Sequence, residues 1–337
     1  MSIFKYDYQQ AADNFRNNRH GRWSGKEEKN PDKVYMTERL GGVFLPTVDT
    51  PFRIDRAATL FTMGSCFARG LERAAARAGM RALSLRTKRF LGDEVVAGYV
   101  NRYNTASILN ELRWAAGEVY DERNLIDYGN GKTIDPHSHP VIRSVSPERA
   151  MELRRGLSAY FAQIFSAKVI TITLGLIEGW FDRETGMMLN LNPIYGRDDP
   201  SGRKLVHGDR FEFRVMSHDE NMANLDAIYA LLKEKAPGAK LIVSVSPVPL
   251  SATFSHRDVA VANTLSKAML RSCAETWIGR HPEIMYFPSY EMATLSDRTL
   301  VYEDDAIHIK QTFVDEIMRH FMNSCVAPAA SGDEVKA

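Results

Sequence analysis

Two short segments, far apart in the sequence, carry residue types that together could perform nucleophilic catalysis. Near the C-terminus, Asp305 precedes His308 by three residues, on a turn that leads into a predicted helix. This spacing allows the carboxylate to hold one nitrogen of the imidazole and leaves the other nitrogen free to accept a proton. Much earlier, Ser65 and Cys66 lie between an apolar run and a helix-forming segment. A thiol at the start of a helix gains from the helix dipole and the free N–H groups there.

Each segment also has a purely structural interpretation. Taken alone, Ser65 is more often a helix cap, and Cys66 is more often a packed core thiol. An Asp-x-x-His pair often occurs by chance, and His308 is compatible with a surface histidine that caps a helix. The residue types therefore define candidates, and the elements around them decide whether the candidates meet.

The pattern of apolar and helix-forming segments predicts an α/β fold with a mostly parallel sheet. Apolar runs of strand length occupy residues 57–63, 168–174, 240–245 and 284–287. Helical patterns occupy residues 67–78, 147–165, 221–235, 259–278 and 310–322. Strands that alternate with helices are typical of a parallel sheet covered on both faces. In such sheets the chemistry lies at the carboxyl ends of the strands, where the turns at 64–66, 175 and 246–247 are placed.

The composition excludes several classes of protein. The chain has 337 residues, 44% of them hydrophobic and 25% charged, with a net charge of +1. A nucleic-acid-binding protein would usually show a strong basic excess. The N-terminus lacks the apolar run of a signal peptide, and no run reaches the length of a membrane span. Three widely separated cysteines suit a reducing compartment, so we expect a cytoplasmic protein without a disulfide framework.

The sequence also predicts the domain organisation and the absence of a metal site. Residues 1–55 are polar and irregular and are predicted to form an N-terminal arm on the main domain. Residues 56–325 form that domain, and residues 326–337 are predicted to be a disordered tail. His137 and His139 have a spacing that metals can use, but no acidic or cysteine partner is near them in the sequence. We therefore expect neither a metal nor another cofactor.

Several motifs resemble those of one known family. The segment 64–68, GSCFA, resembles the signature of the GSCFA family, a branch of the SGNH/GDSL hydrolase superfamily. Further similar segments follow in order: 102–104 (RYN), 173–178 (TLGLIE), 246–248 (SPV), 266–267 (SK), 286–291 (YFPSYE) and the closing Asp305-x-x-His308. The resemblance spans roughly residues 57–322, and several ordered motifs are more specific than any one of them.

This resemblance implies a fold and a catalytic triad. The fold is a three-layer α/β/α sandwich of the SGNH-hydrolase type, with the nucleophile after the first strand and the Asp and His near the C-terminus. Counting from Gly64, as in the GDS motif of the superfamily, places the nucleophile at Cys66 and puts Ser65 where the Asp would stand. A triad of Cys66, His308 and Asp305 is therefore favoured, and Ser65 is retained as the alternative nucleophile.

The resemblance also implies residues that bind the oxyanion and the substrate. Asn104 and Gly175 are the positions assigned to the oxyanion hole, together with the N–H of the nucleophile. Ile177 stands where the superfamily usually has an asparagine in its third block. Glu178 stands where the superfamily often has an acidic residue and is expected to orient the site.

The function implied is that of an acyl-ester hydrolase or an O-acyltransferase that works through an acyl-enzyme intermediate. An O-acetyl group on a carbohydrate or polysaccharide is the favoured substrate, by analogy at the level of the fold. The alternative is a binding or scaffold protein that kept the SGNH fold without turnover. Ile177 favours the alternative, because loss of an oxyanion donor costs several kcal/mol of transition-state stabilisation. The expected partner is a small-molecule or glycan acyl ester, and the oligomeric state stays open.

Overall fold

The computed structural model describes residues 3–25, 32–93, 95, 97–138, 144–193 and 208–328. Within these residues the strands are β1 (Thr59–Gly64), β2 (Arg81–Ala82), β3 (Ile126–Gly129), β4 (Lys132–Ile134), β5 (Val169–Leu174), β6 (Glu178–Asp182), β7 (Met187–Met188), β8 (Phe211–Val215), β9 (Lys240–Val245) and β10 (Met285–Tyr286). The helices are α1 (Tyr8–Asn17), α2 (Cys66–Arg77), α3 (Thr87–Leu91), α4 (Thr105–Ala115), α5 (Pro147–Ala162), α6 (His218–Lys235), α7 (Val259–Arg280), α8 (Ser289–Leu295), α9 (Arg298–Val301) and α10 (Gln311–Cys325).

The centre of the protein is a five-stranded parallel sheet in the order β10-β9-β5-β1-β2. Because β1 and β5 lie at or next to its middle, they are buried along nearly their whole length. Such continuous apolar runs are typical of strands covered on both faces. The predicted α/β class and mostly parallel sheet are confirmed.

Helices cover both faces of this sheet and complete a three-layer sandwich. Alternate residues of a strand point to opposite faces, and in β1 Phe61 belongs to one core cluster while its neighbour Leu60 belongs to the other. The cluster around Phe61 receives buried side chains from α4, α5, α6 and α7. The cluster around Leu60 receives them from α2, α8 and α10. The predicted three-layer architecture is therefore confirmed.

The sequence did not predict several elements near the site. A small antiparallel sheet in the order β7-β6-β8 follows directly after β5. The middle of β6 is only half-buried, so it lacks the apolar run that identifies the central strands. Helix α4 is buried on nearly all sides, so it lacks a polar face that would reveal its period. Each of these elements depends on tertiary contacts and has no strong local signal.

The N-terminal arm and the C-terminal segment contact each other. The arm, expected to be irregular, contains the exposed helix α1, which begins with a capping box at Asp7. Ile54 and Val326 are both buried and form a parallel bridge. Val326, the first residue of the segment predicted to be a disordered tail, is therefore packed against the arm. Residues 329–337 of that segment lie outside the described residues.

In the described part of the chain, no helix combines the length and the apolar character needed to cross a membrane.

Candidate active site

The turn between β1 and α2 presents the two candidate nucleophiles. Gly64 ends β1 with a φ of +146°, and a Cβ there would collide with the carbonyl oxygen of Thr173, so the turn requires glycine. Ser65 is the N-cap residue of α2, but its side chain makes no capping hydrogen bond. Its hydroxyl instead forms a 3.0 Å hydrogen bond with that of Ser246. The Ser65 hydroxyl is thus buried and paired, whereas Cys66 is only half-buried.

The surroundings of Cys66 disfavour its thiolate form. Burial raises the pKa of Cys66 above its ordinary value. Hydrogen bonds from backbone N–H groups at the start of α2 oppose this rise, and so do the positive charges of Lys267 and Arg69. Because burial outweighs them, the thiol needs a base to become the nucleophilic thiolate.

Asp305 and His308 form the pair that their spacing predicts. Oδ2 of Asp305 lies 2.5 Å from Nδ1 of His308. The other carboxylate oxygen accepts the backbone N–H groups of Ile307 and His308, each at 2.9 Å. The bond to His308 is the largest of the effects that lower the pKa of Asp305 to about 2. An ionised carboxylate only accepts hydrogen bonds, so Nδ1 carries the proton and Nε2 is the ring nitrogen able to act as a base.

The two segments meet at one cavity. A cavity of about 460 Å³ at the carboxyl edge of the sheet is lined by Cys66, Ser65 and His308. Its walls are mainly apolar, and Trp180, Phe213 and Phe254 form an aromatic cluster there, with ring centroids 5.2–5.8 Å apart. A larger groove, between the N-terminal arm and α7, contains neither Cys66 nor His308. The fold therefore brings together residues more than 240 positions apart in the sequence.

The two positions assigned to the oxyanion hole differ in where they lie. Gly175 lines the cavity, and a Cβ there would stand 2.5 Å from the carbonyl oxygen of Tyr103, so glycine permits close approach of the two backbones. Asn104 does not line the cavity. Its side-chain oxygen caps α4 by accepting the N–H of Ser107 at 2.8 Å, and its amide nitrogen donates to the carbonyl of Leu189 at 3.0 Å. Asn104 therefore holds α4 and a neighbouring loop together, because its polar atoms point into buried backbone.

Glu178 and Ile177 occupy opposite environments. Glu178 lines the cavity, where both its carboxylate oxygens accept the hydroxyl of Thr253, at 2.7 and 3.0 Å. This bond joins β6 to the loop after β9, which forms part of the cavity wall. Ile177 is buried in the core, and its N–H donates to the hydroxyl of Ser266 at 3.1 Å. The side chain of Ile177 can donate no hydrogen bond to an oxyanion.

Lys267 is a residue of the site that the sequence analysis did not assign. It lies on α7, only 2% exposed, and lines the cavity. Nζ donates a hydrogen bond to the carbonyl oxygen of Gly175 at 2.7 Å. Burial lowers the pKa of Lys267 to about 7, and interaction with Cys66 acts in the opposite direction. The available signal was a lysine flanked by the residues that α7 buries, Ser266 and Leu270.

Comparison with known families agrees with the GSCFA motif at the turn between β1 and α2. A sequence model of the GSCFA family matches residues 59–321, which is most of the chain. The chain belongs to the GSCFA family. A search of curated proteins gave no match.

Every residue of the GSCFA pentapeptide has a structural role in this chain. Gly64 permits the turn, Ser65 bonds to the end of β9, and Cys66 borders the cavity. Phe67 is buried in the core cluster around Leu60, and Ala68 is also fully buried. The pentapeptide thus anchors the start of α2 through Phe67 and Ala68 and leaves Cys66 at the cavity.

The surroundings of His137 are those of a packed, neutral side chain. His137 is buried, its Nε2 is paired with Oδ1 of Asn124 at 3.2 Å, and its ring packs edge-on against Trp114. Burial lowers the pKa of His137 to about 4, so the ring is neutral. His139 lies outside the described residues. Among the residues that are described, no three His, Cys, Asp or Glu side chains are grouped as metal ligands.

Proposed function

We propose that this protein is an acyl-ester hydrolase or O-acyltransferase of the SGNH type, with Cys66 as its nucleophile. The observation that carries the proposal is the shared cavity. It is bordered by the thiol at the start of α2 and by a histidine whose other nitrogen is held by an ionised carboxylate. A nucleophile, a base and a group that orients the base are the parts that acyl transfer through an acyl-enzyme uses.

The proposed reaction has two steps, acylation of Cys66 and transfer of the acyl group to an acceptor. Nε2 of His308 takes the thiol proton, and the thiolate of Cys66 attacks the ester carbonyl, forming a C–S bond while the C=O π pair moves to oxygen. The intermediate collapses with loss of the alcohol, which takes its proton from His308, and a thioester remains on Cys66. Water then gives a carboxylic acid, or a second hydroxyl gives a new ester, and either product restores the thiol.

Backbone N–H groups support the oxyanion in this proposal. The first turn of α2 carries N–H groups without partners inside the helix, and their dipoles favour negative charge. Gly175 brings a second backbone segment to the same cavity. Donors that are fixed before the reaction stabilise the developing charge at no cost in reorganisation. The amide nitrogen of Asn104 uses one of its two N–H groups to bond to the carbonyl of Leu189.

The shape of the cavity supports a substrate with both an acyl and a bulkier alcohol portion. Its volume of about 460 Å³ is within the range of small-molecule sites and exceeds what a lone acetyl group fills. The apolar wall suits the acyl group, and the faces of Trp180 and Phe254 suit a flat or ring-shaped alcohol portion. A glycan O-acyl ester is the substrate class we propose.

A second candidate, a binding or scaffold protein without turnover, is favoured by one observation. The raised pKa of Cys66 keeps the resting thiol neutral, and a packed thiol of this kind is inert unless a base activates it. The two candidates differ in whether Cys66 reacts with an electrophile in a manner that depends on His308.

The test is hydrolysis of p-nitrophenyl acetate and of longer-chain esters, with intact mass spectrometry of the protein. We expect Cys66→Ala and His308→Ala to abolish turnover and the acyl adduct, and Ser65→Ala to retain both. His256→Ala is the matched control, because His256 is exposed and does not line the cavity. Loss of activity in Ser65→Ala alone would move the nucleophile to Ser65. A wild-type protein as inert as all four variants would favour the scaffold.

A further inference from the structure

Lys267 is an amine buried in the wall of the cavity. In the part of the chain that the structure describes, its hydrogen bond goes to a neutral carbonyl oxygen, that of Gly175, and it forms no ion pair. Burying an unpaired ammonium group is costly, and such groups are retained mainly where they have a function. A negatively charged partner for Lys267 must therefore form during the reaction or enter the cavity with a ligand.

The thiol of Cys66 is the group that supplies this partner. The positive charge of Lys267 lowers the pKa of Cys66, and a thiolate at Cys66 would raise the pKa of Lys267. The two residues come from different elements, α2 and α7, and line the same cavity. A thiolate at the start of α2 would place a negative charge in the same cavity as the ammonium group of Lys267.

The other groups that act on Cys66 cannot serve as the counter-ion of its thiolate. Arg69 is already paired with Glu72 at 2.9 Å, and both side chains are almost fully buried. Burial raises the pKa of Tyr103 to about 12, so this side chain stays neutral at physiological pH. His308 is assigned to Asp305. Lys267 therefore provides the uncompensated positive charge.

We propose that Lys267 is a positioning residue whose buried ammonium group is the counter-ion of the Cys66 thiolate. The thiol loses its proton from Sγ to a base in the cavity, and the protonated Nζ of Lys267 stabilises the thiolate that remains. The hydrogen bond from Nζ to Gly175 holds the charge in place. The inference rests on the proposed function only in taking Cys66 as the nucleophile.

The test measures the ionisation of Cys66 directly, without an ester. Alkylation of Cys66 by iodoacetamide is followed by intact mass spectrometry from pH 5.5 to 9.5. In Lys267→Met the pH profile moves upward by about one unit or more, so that the rate at neutral pH falls about tenfold. Lys267→Gln gives the same shift, because glutamine can still donate to Gly175 but carries no charge. Lys267→Arg keeps a profile close to that of the wild type.

The controls separate charge from structure. Lys240→Met removes an exposed lysine at the opposite end of β9 and leaves the profile unchanged. A wild-type profile in Lys267→Gln or Lys267→Met would overturn the inference, and so would a shift in Lys267→Gln that Lys267→Arg fails to restore. A shifted profile in a protein without ester turnover refutes the proposed function and keeps the inference. Normal ester turnover with an unshifted alkylation profile refutes the inference and keeps the proposed function.

Discussion

Replacing Lys267 by methionine should stabilise the folded protein at neutral pH, although it removes a hydrogen bond. Burial lowers the pKa of Lys267 from 10.5 to about 7. The unfolded chain binds a proton at this lysine below about pH 10.5, whereas the folded chain binds it only below about pH 7. Between these limits the unfolded state carries more protons, so the free energy of unfolding rises with pH across this window. Below about pH 7 the cost of burying the charge is fully present.

The magnitude follows from the width of the window. A difference of one pH unit in pKa corresponds to about 1.4 kcal/mol, so a window from 7 to 10.5 amounts to about 5 kcal/mol. Methionine has no charge to bury, and its flexible chain fills a similar volume. It leaves the Gly175 carbonyl without its donor, which costs about 1–3 kcal/mol. At pH 7 we expect a net gain of about 2 kcal/mol, and near pH 10.5 we expect a net loss.

Urea unfolding at pH 6, 7, 8, 9 and 10 measures this difference. Both proteins should carry Cys66→Ala, because Cys66 also titrates and its charge acts on Lys267. The stability difference between Lys267→Met and its parent should fall steadily from pH 7 to pH 10. The exposed-lysine variant Lys240→Met should show no such slope. A difference that is constant over this range would refute the reasoning, since it would mean that the buried amine keeps its ordinary pKa.

Two further predictions concern the elements that hold the site. Glu111 is fully buried between Arg102 and Arg154 and is bonded to both. Glu111→Gln should therefore cost about 3–5 kcal/mol in urea unfolding, and a change under 1 kcal/mol would contradict a structural role for this ion triad. Gly64→Ala should cost about 2 kcal/mol or more and slow alkylation of the adjacent thiol, because the positive φ and the contact with Thr173 exclude a Cβ. Unchanged stability and alkylation would show that the turn relaxes easily.

The central part of the fold could be predicted from the sequence because its signals are local. Strand β9 begins and ends where the apolar run 240–245 does, and α7 begins at the predicted residue, Val259. The pair of Asp305 and His308 forms as its three-residue spacing predicts, because the contact needs only one turn of chain. Elements with such local patterns form where the sequence predicts them, because they depend mainly on residues that are close together in the chain.

The roles of Ser65, Asn104 and Lys267 could not be predicted in this way. The partner of Ser65 is Ser246, 181 residues away, and the amide of Asn104 bonds to Leu189, 85 residues away. A lysine on a long helix is ordinarily exposed, so the Ser-Lys motif at 266–267 does not by itself reveal that Lys267 is buried at the cavity. Each of these contacts exists only because other elements are packed against the residue.

The sequence by itself therefore determined the alternation of strands and helices, the glycine turn before Cys66 and the orientation of His308 by its carboxylate. The tertiary structure decided which of these features meet. The sheet places β1 beside β5 and β5 beside β9, so the turns that follow these strands converge on one cavity. It also buries Lys267 in the wall of the cavity that Cys66 borders. The physical reason is that strand order and helix packing minimise the free energy of the whole chain, and the spacing of neighbouring residues carries little information about them.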